Sequence, residues 1–362
     1  MTALYKKTST KPTQQIKLKW PNGALIEIAN GCNLSCVMCN TKMSKRPVGF
    51  VKPQVFENIL QQLISVGIKG VGLHTVGEPF MNNKLESLLE IANHYNFNVW
   101  ISMNAQFPSR IEQIYKNFPS LVNYYRLSID DATKKSYESI RSGGKYENIV
   151  DSLEVIQKIN NKKRNYRISL LIDSILSSSN IYEIPIFFEK YGKYCFPENI
   201  NFTIVNGLSP DPSYFRESFP FPNLIRQNIP CHMPFKKLYF TYGGKVTLCC
   251  RDYDEDIVVG DIQQDSLIDI WNGVQADQVR KKHLDKKKMD IRSCKSCYGP
   301  YRSISFVINE YIHSLYAHKP DIGSHGFGEN IIQLLEKLDL AMANKNIGKL
   351  HENIHNAFAR IN

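Results

Sequence analysis

Long apolar runs are missing from this 362-residue chain. No stretch reaches the roughly 20 apolar residues that span a bilayer. Residues 1–19 are polar and lysine-rich and lack the apolar core of a signal peptide. These absences argue against a membrane span and secretion, and the expected location is the cytoplasm. An even cysteine count is also absent. The nine cysteines cannot all pair within one chain, and they cluster as CxxxCxxC and CxxC, so metal ligation is a better reading than a disulfide framework. There is no repeat of useful length and no low-complexity tract. Acidic residues are outnumbered, 34 against 45 Lys and Arg, for a formal charge of +11. Yet the chain has no nucleic-acid recognition motif and no basic stripe interleaved with aromatics. The basic runs at 161–164 and 281–288 read as solvated faces, and an anionic substrate stays open.

What is present is an ordinary globular composition, 43% hydrophobic and 22% charged, in a chain long enough for one large α/β core and a smaller module. β-Rich apolar runs at 24–29, 70–76, 98–104, 123–130, 167–175 and 199–206 alternate with helical patterns. These patterns lie at about 53–66, 83–95, 109–117, 133–159 (interrupted by glycine) and 180–191. Six strands alternating with helices predict parallel pairing through right-handed crossovers. The expected fold is therefore α/β, a partial (β/α)6 barrel with its chemistry at the C-terminal ends of the strands. After it come a Pro-, Ser- and Phe-rich linker or lid at 208–230, a cysteine-rich module at 231–300 and an amphipathic helical tail at 301–362. The core then spans 21–207, behind a polar segment at 1–20.

Just after the first strand stand Cys32, Cys36 and Cys39. Three thiolates are one fewer than a closed four-ligand cluster needs, which leaves one metal position for substrate or cofactor. Three clustered cysteines also fit a zinc site completed by a distant ligand, or buried thiols. The CxxxCxxC spacing after a strand resembles the signature of the radical S-adenosylmethionine (radical SAM) superfamily. That resemblance implies a [4Fe–4S] cluster on these cysteines whose fourth iron is chelated by SAM. It implies reductive cleavage of SAM to a 5′-deoxyadenosyl radical that takes a hydrogen atom from an unactivated C–H bond, and an external one-electron reductant such as flavodoxin or ferredoxin.

Gly77-Glu78-Pro79 follows the second strand and is similar to the superfamily's GGEP motif, with Val76 in place of the first glycine. The resemblance implies that its carbonyls and the Glu78 carboxylate face the ammonium of SAM. Ser102 and Asn104 end the third strand like the family's S/T-x-N-G segment, with Ala105 in place of glycine. Ser128 and Asp130 end the fourth, and Arg141 resembles an arginine aimed at the SAM carboxylate, which its forked donors suit. Met38 stands where relatives often have an aromatic and keeps an apolar surface for adenine.

Cys231, the pair Cys249-Cys250, and Cys294-Lys295-Ser296-Cys297 frame the second module. A hairpin is legible inside it, 239–242 and 245–248 flanking the two-residue turn signal Gly243-Gly244. The arrangement resembles Twitch, the short form of the SPASM domain, which implies one auxiliary [4Fe–4S] cluster on Cys231, Cys249, Cys294 and Cys297. Cys249 is preferred over Cys250 by family spacing, and neighbouring strand residues point to opposite faces. A zinc ribbon is the alternative. Two clusters bring the formal charge to about +8.

A closed auxiliary cluster serves electron transfer or structure. The cysteine pattern is closest to Twitch-type aminocyclitol dehydrogenases, which implies oxidation of a secondary alcohol on a small polar metabolite such as a sugar or cyclitol. A peptide or protein maturase (crosslinking, epimerisation or formylglycine formation) is the competing expectation. Against it, only about 23 residues precede the first strand, short for a leader-binding domain. A non-catalytic iron–sulfur protein is the third. Cys195 and Cys250 are weak candidates for a hydrogen-donating thiol. Strand phase alone does not decide whether His74, Asp173 and Tyr125 face the barrel mouth.

Overall fold

Each short apolar strand of the first half is followed by a helix that packs back on it, so the strands align in one direction. In a computed structural model, residues 18–205 are described except for 22, 163–166, 178–179 and 181–182. Residues 230–297 are described except for 296, as are 218, 309, 310 and 313. Nearly all of the expected 208–230 lid and 301–362 tail lies outside the described residues.

Strands β1 (Ala24–Ile26), β2 (Gly70–Gly72), β3 (Asn98–Met103), β4 (Val122–Ser128), β5 (Ser169–Leu176) and β6 (Ile200–Ile204) pair parallel in chain order. β6 does not return to β1, so the sheet stays open, as a partial barrel requires. Helices cover its outer face. α1 (Pro53–Ser65) starts at a proline and buries Phe56, Ile59, Leu60 and Leu63, an i, i+3, i+4, i+7 stripe. α2 (Leu85–His94) and α3 (Pro108–Asn117) bury equivalent stripes. The helical pattern at 133–159 divides into α4 (Lys134–Ile140), capped by the Thr133 side chain, and α5 (Tyr146–Lys162). The break falls at Gly143, whose φ of +88° is the left-handed region that glycine enters without strain. α6 (Ile184–Tyr191) completes this half.

The second module joins the same sheet, which the sequence pattern does not reveal. β7 (Leu238–Phe240) pairs parallel with β1, and β8 (Lys245–Thr247) and β9 (Val258–Asp261) add antiparallel. Nine strands therefore run in the order β6-β5-β4-β3-β2-β1-β7-β8-β9. The hairpin turn differs from the two-residue turn expected. Thr241 N–H bonds the Lys245 carbonyl, Gly244 N–H bonds the Thr241 carbonyl, and Gly244 takes φ +93°. That is a three-residue loop ending in a left-handed glycine. α7 (Leu267–Trp271), capped by Ser266, and α8 (Val274–Leu284) follow. Among the described residues no helix is long and apolar enough to cross a membrane.

Candidate active site at the mouth of the sheet

Alternation along parallel strands sorts side chains between two faces. Val99, Ile101, Met103, Leu127, Ile172 and Phe202 are buried in the hydrophobic core. Trp100 and Ser102 on β3, Arg126 and Ser128 on β4, Asp173 and Ile175 on β5 and Thr203 on β6 line a cavity of about 350 Å³. Register pairs Ser102 with Arg126, Ser128 with Asp173 and Ile175 with Thr203, which makes one continuous inner face of polar and apolar side chains. Asp173 accepts from both Arg126 and Asn201. His74 also faces this cavity. Tyr125 does not: it is fully buried in the core, its hydroxyl without a hydrogen-bond partner.

Beside it lies a second cavity of about 280 Å³, lined by Cys32, Cys36, Cys39, Met38, Glu78 and Asn104 among others. The two share His74, Thr75, Ser102, Ser128, Ile175, Cys250 and Arg251. The cysteine loop is held by backbone bonds to the end of α4, Ser35 N–H to the Ser142 carbonyl and Val37 N–H to the Ile140 carbonyl. Those bonds bring Arg141 under the loop. Its Nε donates to Asp130 at 2.7 Å and its Nη1 lies 4.0 Å from Cys36 Sγ. Burial pushes the Cys32 thiol up to about 11 and Cys36 up to about 12, the latter opposed by Arg141. Such thiols give up their protons readily only to a metal, and their soft sulfurs suit an iron–sulfur cluster.

The Gly77-Glu78-Pro79 turn stands against this loop. Gly77 has φ +78°, and a Cβ there would meet the Ala29 carbonyl oxygen at 2.4 Å, so only glycine fits. The Glu78 carboxylate is nearly buried and accepts from Phe80 N–H at 3.0 Å and Asn104 N–H at 2.8 Å. Both oxygens are thus already engaged in tying the β2 turn to the end of β3, a positioning task not visible in the motif. Burial pushes its pKa up to about 7. Asn104 donates to Asn33 and approaches Cys32 Sγ at 3.8 Å. Ala105 holds φ +58°, so the glycine-like backbone survives the substitution.

Cys231, Cys249, Cys294 and Cys297 line a separate, much smaller space of about 20 Å³. α8 presents a polar face to it. His283 Nδ1 accepts from Cys231 N–H at 3.3 Å, which leaves its Nε2 proton facing Cys294 Sγ at 3.8 Å. Burial lowers the His283 pKa to about 4, so the ring is neutral. Lys288, 2% exposed, lines the same space and reaches the Cys297 carbonyl at 3.5 Å. Among the described residues no group of three or more Cys, His, Asp or Glu is placed to hold a single metal ion. Four thiols with one N–H donor and one buried cation are the donor chemistry of an iron–sulfur cluster.

Cys249 and Cys250 depart from strand alternation, because β8 ends at Thr247 and a thiol–thiol hydrogen bond helps raise the Cys249 pKa. They still divide: Cys249 faces the four-cysteine space and Cys250 the two larger cavities. Cys195 packs against the core and lines none of the three. Arg251 lines all three, a convergence no sequence motif announces.

Residues 26–173 match the radical SAM superfamily, and residues 231–298 match the SPASM iron–sulfur cluster-binding domain. The chain belongs to the radical SAM superfamily and carries a SPASM-type domain, so SAM and [4Fe–4S] clusters are its cofactors. It is 22% identical over 279 residues to the S-adenosyl-L-methionine-dependent 2-deoxy-scyllo-inosamine dehydrogenase of Niallia circulans, covering 75% of this chain and 90% of that protein. The fold is similar to BtrN in complex with AdoMet and 2-DOIA (17% identity, 78% and 94% of the two chains, TM-score 0.51). It is also similar to anSMEcpe with bound AdoMet (13%, 87% and 99%, 0.58) and to Streptococcus suis SuiB bound to precursor peptide SuiA (16%, 78% and 70%, 0.55). The chain is thus a radical SAM enzyme of oxidoreductase or substrate-modifying type.

Proposed function

We propose that this enzyme oxidises a secondary alcohol of a small polyhydroxylated metabolite, a cyclitol or sugar, to a ketone. One observation carries the reading: a cavity of about 350 Å³ shares lining with the three-cysteine cavity through His74, Ser102 and Ser128 and with the four-cysteine space through Met233, and Arg251 faces all three. That volume suits one small ligand. The similarity to a cyclitol dehydrogenase points the same way. Cys32, Cys36 and Cys39 would hold the SAM-binding cluster, and Cys231, Cys249, Cys294 and Cys297 the auxiliary one. When bound, SAM and the two clusters supply a hydrogen-atom acceptor and an electron acceptor, so a CH–OH group loses one hydrogen atom, one proton and one electron.

The chain's own residues do the positioning. Arg141, fixed by Asp130, suits the SAM carboxylate. Gly77 and Glu78 form the wall opposite the cysteine loop, the buried Pro79 follows them in the turn, and Ser102, Asn104 and Ser128 line the same cavity. His74, whose pKa burial lowers to about 3, stays neutral and orients a substrate hydroxyl without taking its proton outright. Domain limits of 21–207 and 231–300, a cytoplasmic setting and a flavodoxin- or ferredoxin-type donor complete the proposal.

The test is anaerobic reconstitution, iron counting and product analysis with polyols and with peptides. About eight irons per chain, 5′-deoxyadenosine and a ketone formed in equal amount support the reading. A modified peptide in place of a ketone would replace it with maturation.

A further inference from the structure

Cys249, Cys250 and Arg251, which between them line all three spaces, lie outside the sheet. β8 ends at Thr247 and β9 begins at Val258, so strand pairing does not hold this segment. Its far end is tied instead to the three-cysteine loop. After Cys39 the chain returns along 41–50. There the Ser44 hydroxyl donates to the Tyr253 carbonyl at 2.8 Å, and Lys45 N–H donates to Asp254 at 2.8 Å. Arg46, the next residue, is nearly buried. Its Nη1 and Nη2 donate to the two carboxylate oxygens of Glu27 at 3.1 and 2.5 Å, and its Nε pairs with Glu255 at 3.2 Å. Its guanidinium also lies 5.0 Å from the Tyr242 ring. Glu27 follows the last residue of β1 and accepts further from Tyr242 N–H in the hairpin turn and from the Thr75 hydroxyl beside His74. One guanidinium therefore joins the end of β1, the loop after Cys39 and the segment after Cys249.

The backbone adds a second observation. Glu255 has φ +61°, a left-handed conformation uncommon for any residue but glycine and asparagine. Its carboxylate is held by Arg46 and, at 2.5 Å, by Lys245. A sparsely populated conformation kept in place by two ion pairs points to a positional task. We infer that Arg46 and Glu255 are positioning residues that set the Cys249–Arg251 segment against the three-cysteine loop, and with it the spacing of the two clusters. The inference rests on the two-cluster assignment made above and holds for a polyol or a peptide substrate.

A purely stabilising role is the competing use, and the arrangement separates the two. Arg292 pairs with Asp254 and Asp256 on the same segment but is 57% exposed, and such pairs contribute little. The Arg46–Glu27 pair is buried, and only the forked donors of arginine let one side chain serve two carboxylates.

Glu255→Asn is the first test, because it removes the carboxylate, suits a left-handed backbone and leaves Arg46 paired with Glu27. The reconstituted variant should keep about eight irons per chain and still cleave SAM. Product formed per 5′-deoxyadenosine should fall at least about tenfold, the scale set by a misplacement of about 1 Å. Pulsed electron paramagnetic resonance should show a broadened distribution of distances between the two reduced clusters. Arg46→Gln should have the larger effect, and Arg46→Lys, which keeps the charge without the fork, should fall between. If Arg46→Gln does not fold, Glu255→Asn decides alone. The distance distribution is the deciding readout because it needs no substrate. An unaltered distribution in Glu255→Asn, or loss of the auxiliary irons, overturns the inference. If the unaltered enzyme forms no ketone, the polyol reading fails and the distance measurement still decides this one.

Discussion

The loop carrying Cys32, Cys36 and Cys39 opens onto a cavity of about 280 Å³, whereas Cys231, Cys249, Cys294 and Cys297 surround a space of about 20 Å³. The two are also supported differently. The three-cysteine loop leans on a parallel sheet whose outer face is a continuous apolar core. The four-cysteine module shares that core through Val246, Ile257 and Trp271 among others, and adds buried polar side chains on α8. The face that α8 buries consists of Ala276, Asp277, Arg280 and His283. Arg280 is fully buried, donating to the Pro234 and Trp271 carbonyls and lying 4.3 Å from the Trp271 ring. The difference teaches that ligand number and solvent space are set together. A set one donor short keeps room for a cofactor to complete it, and a full set is wrapped closely by groups that tune it.

Breaking each site separately gives the largest effects. Cys36→Ala should abolish 5′-deoxyadenosine formation and leave about four irons per chain. Cys294→Ala should also remove about four irons, yet retain SAM cleavage while ketone formation falls to background. Iron counts and product ratios check both. Identical losses of SAM cleavage in the two variants would show that the sites do not divide the work.

The wall of the open site has a pH signature. Glu78 has a folded pKa of about 7, above the ordinary carboxyl value near 4.5. The folded state therefore holds a proton that the unfolded chain has released, and this contribution is full below about pH 4.5 and lost as pH rises through about 7. It is on the order of 3 kcal/mol. Denaturant titrations of the metal-free chain between these limits should show stability falling with pH. Glu78→Gln, whatever its absolute stability, should flatten that slope.

At the closed site, His283→Leu removes the N–H facing Cys294. The more negative, reduced cluster loses more by this, so the auxiliary potential should drop by about 60 mV for a hydrogen bond worth about 1.4 kcal/mol. A redox titration followed by electron paramagnetic resonance reads it, and the potential of the other cluster should not move. The smallest effect is expected at Ala105. Its left-handed backbone favours glycine, so Ala105→Gly should stabilise the chain by about 1 kcal/mol in thermal melts without altering either iron count.

Much of the sheet half is readable from local pattern. Period-two apolar runs place β1–β6, 3.6-period stripes place α1–α6, and the clustered cysteines mark both sites before any contact is known. Turn chemistry is less readable: Gly243-Gly244 signals a hairpin, but a three-residue loop and a two-residue one share that signal. Strand phase at His74, Asp173 and Tyr125 could not be read either. Near a strand end, a one-residue shift exchanges the core face for the cavity face.

Spacing along the chain is a local property, so sequence alone determined the order of parallel strands, the two cysteine groups and the glycine that must follow β2. Tertiary structure decided everything that depends on residues far apart in the chain. It set β7 beside β1, turned the Glu78 carboxylate toward the backbone of Phe80 and Asn104, and placed His283 between Cys231 and Cys294. It also brought Asp173, Lys236, Lys237 and Arg251 to the lining of one cavity. The physical reason is that charge and hydrogen-bond complementarity act through space. No pattern along one segment records which distant segment will answer it.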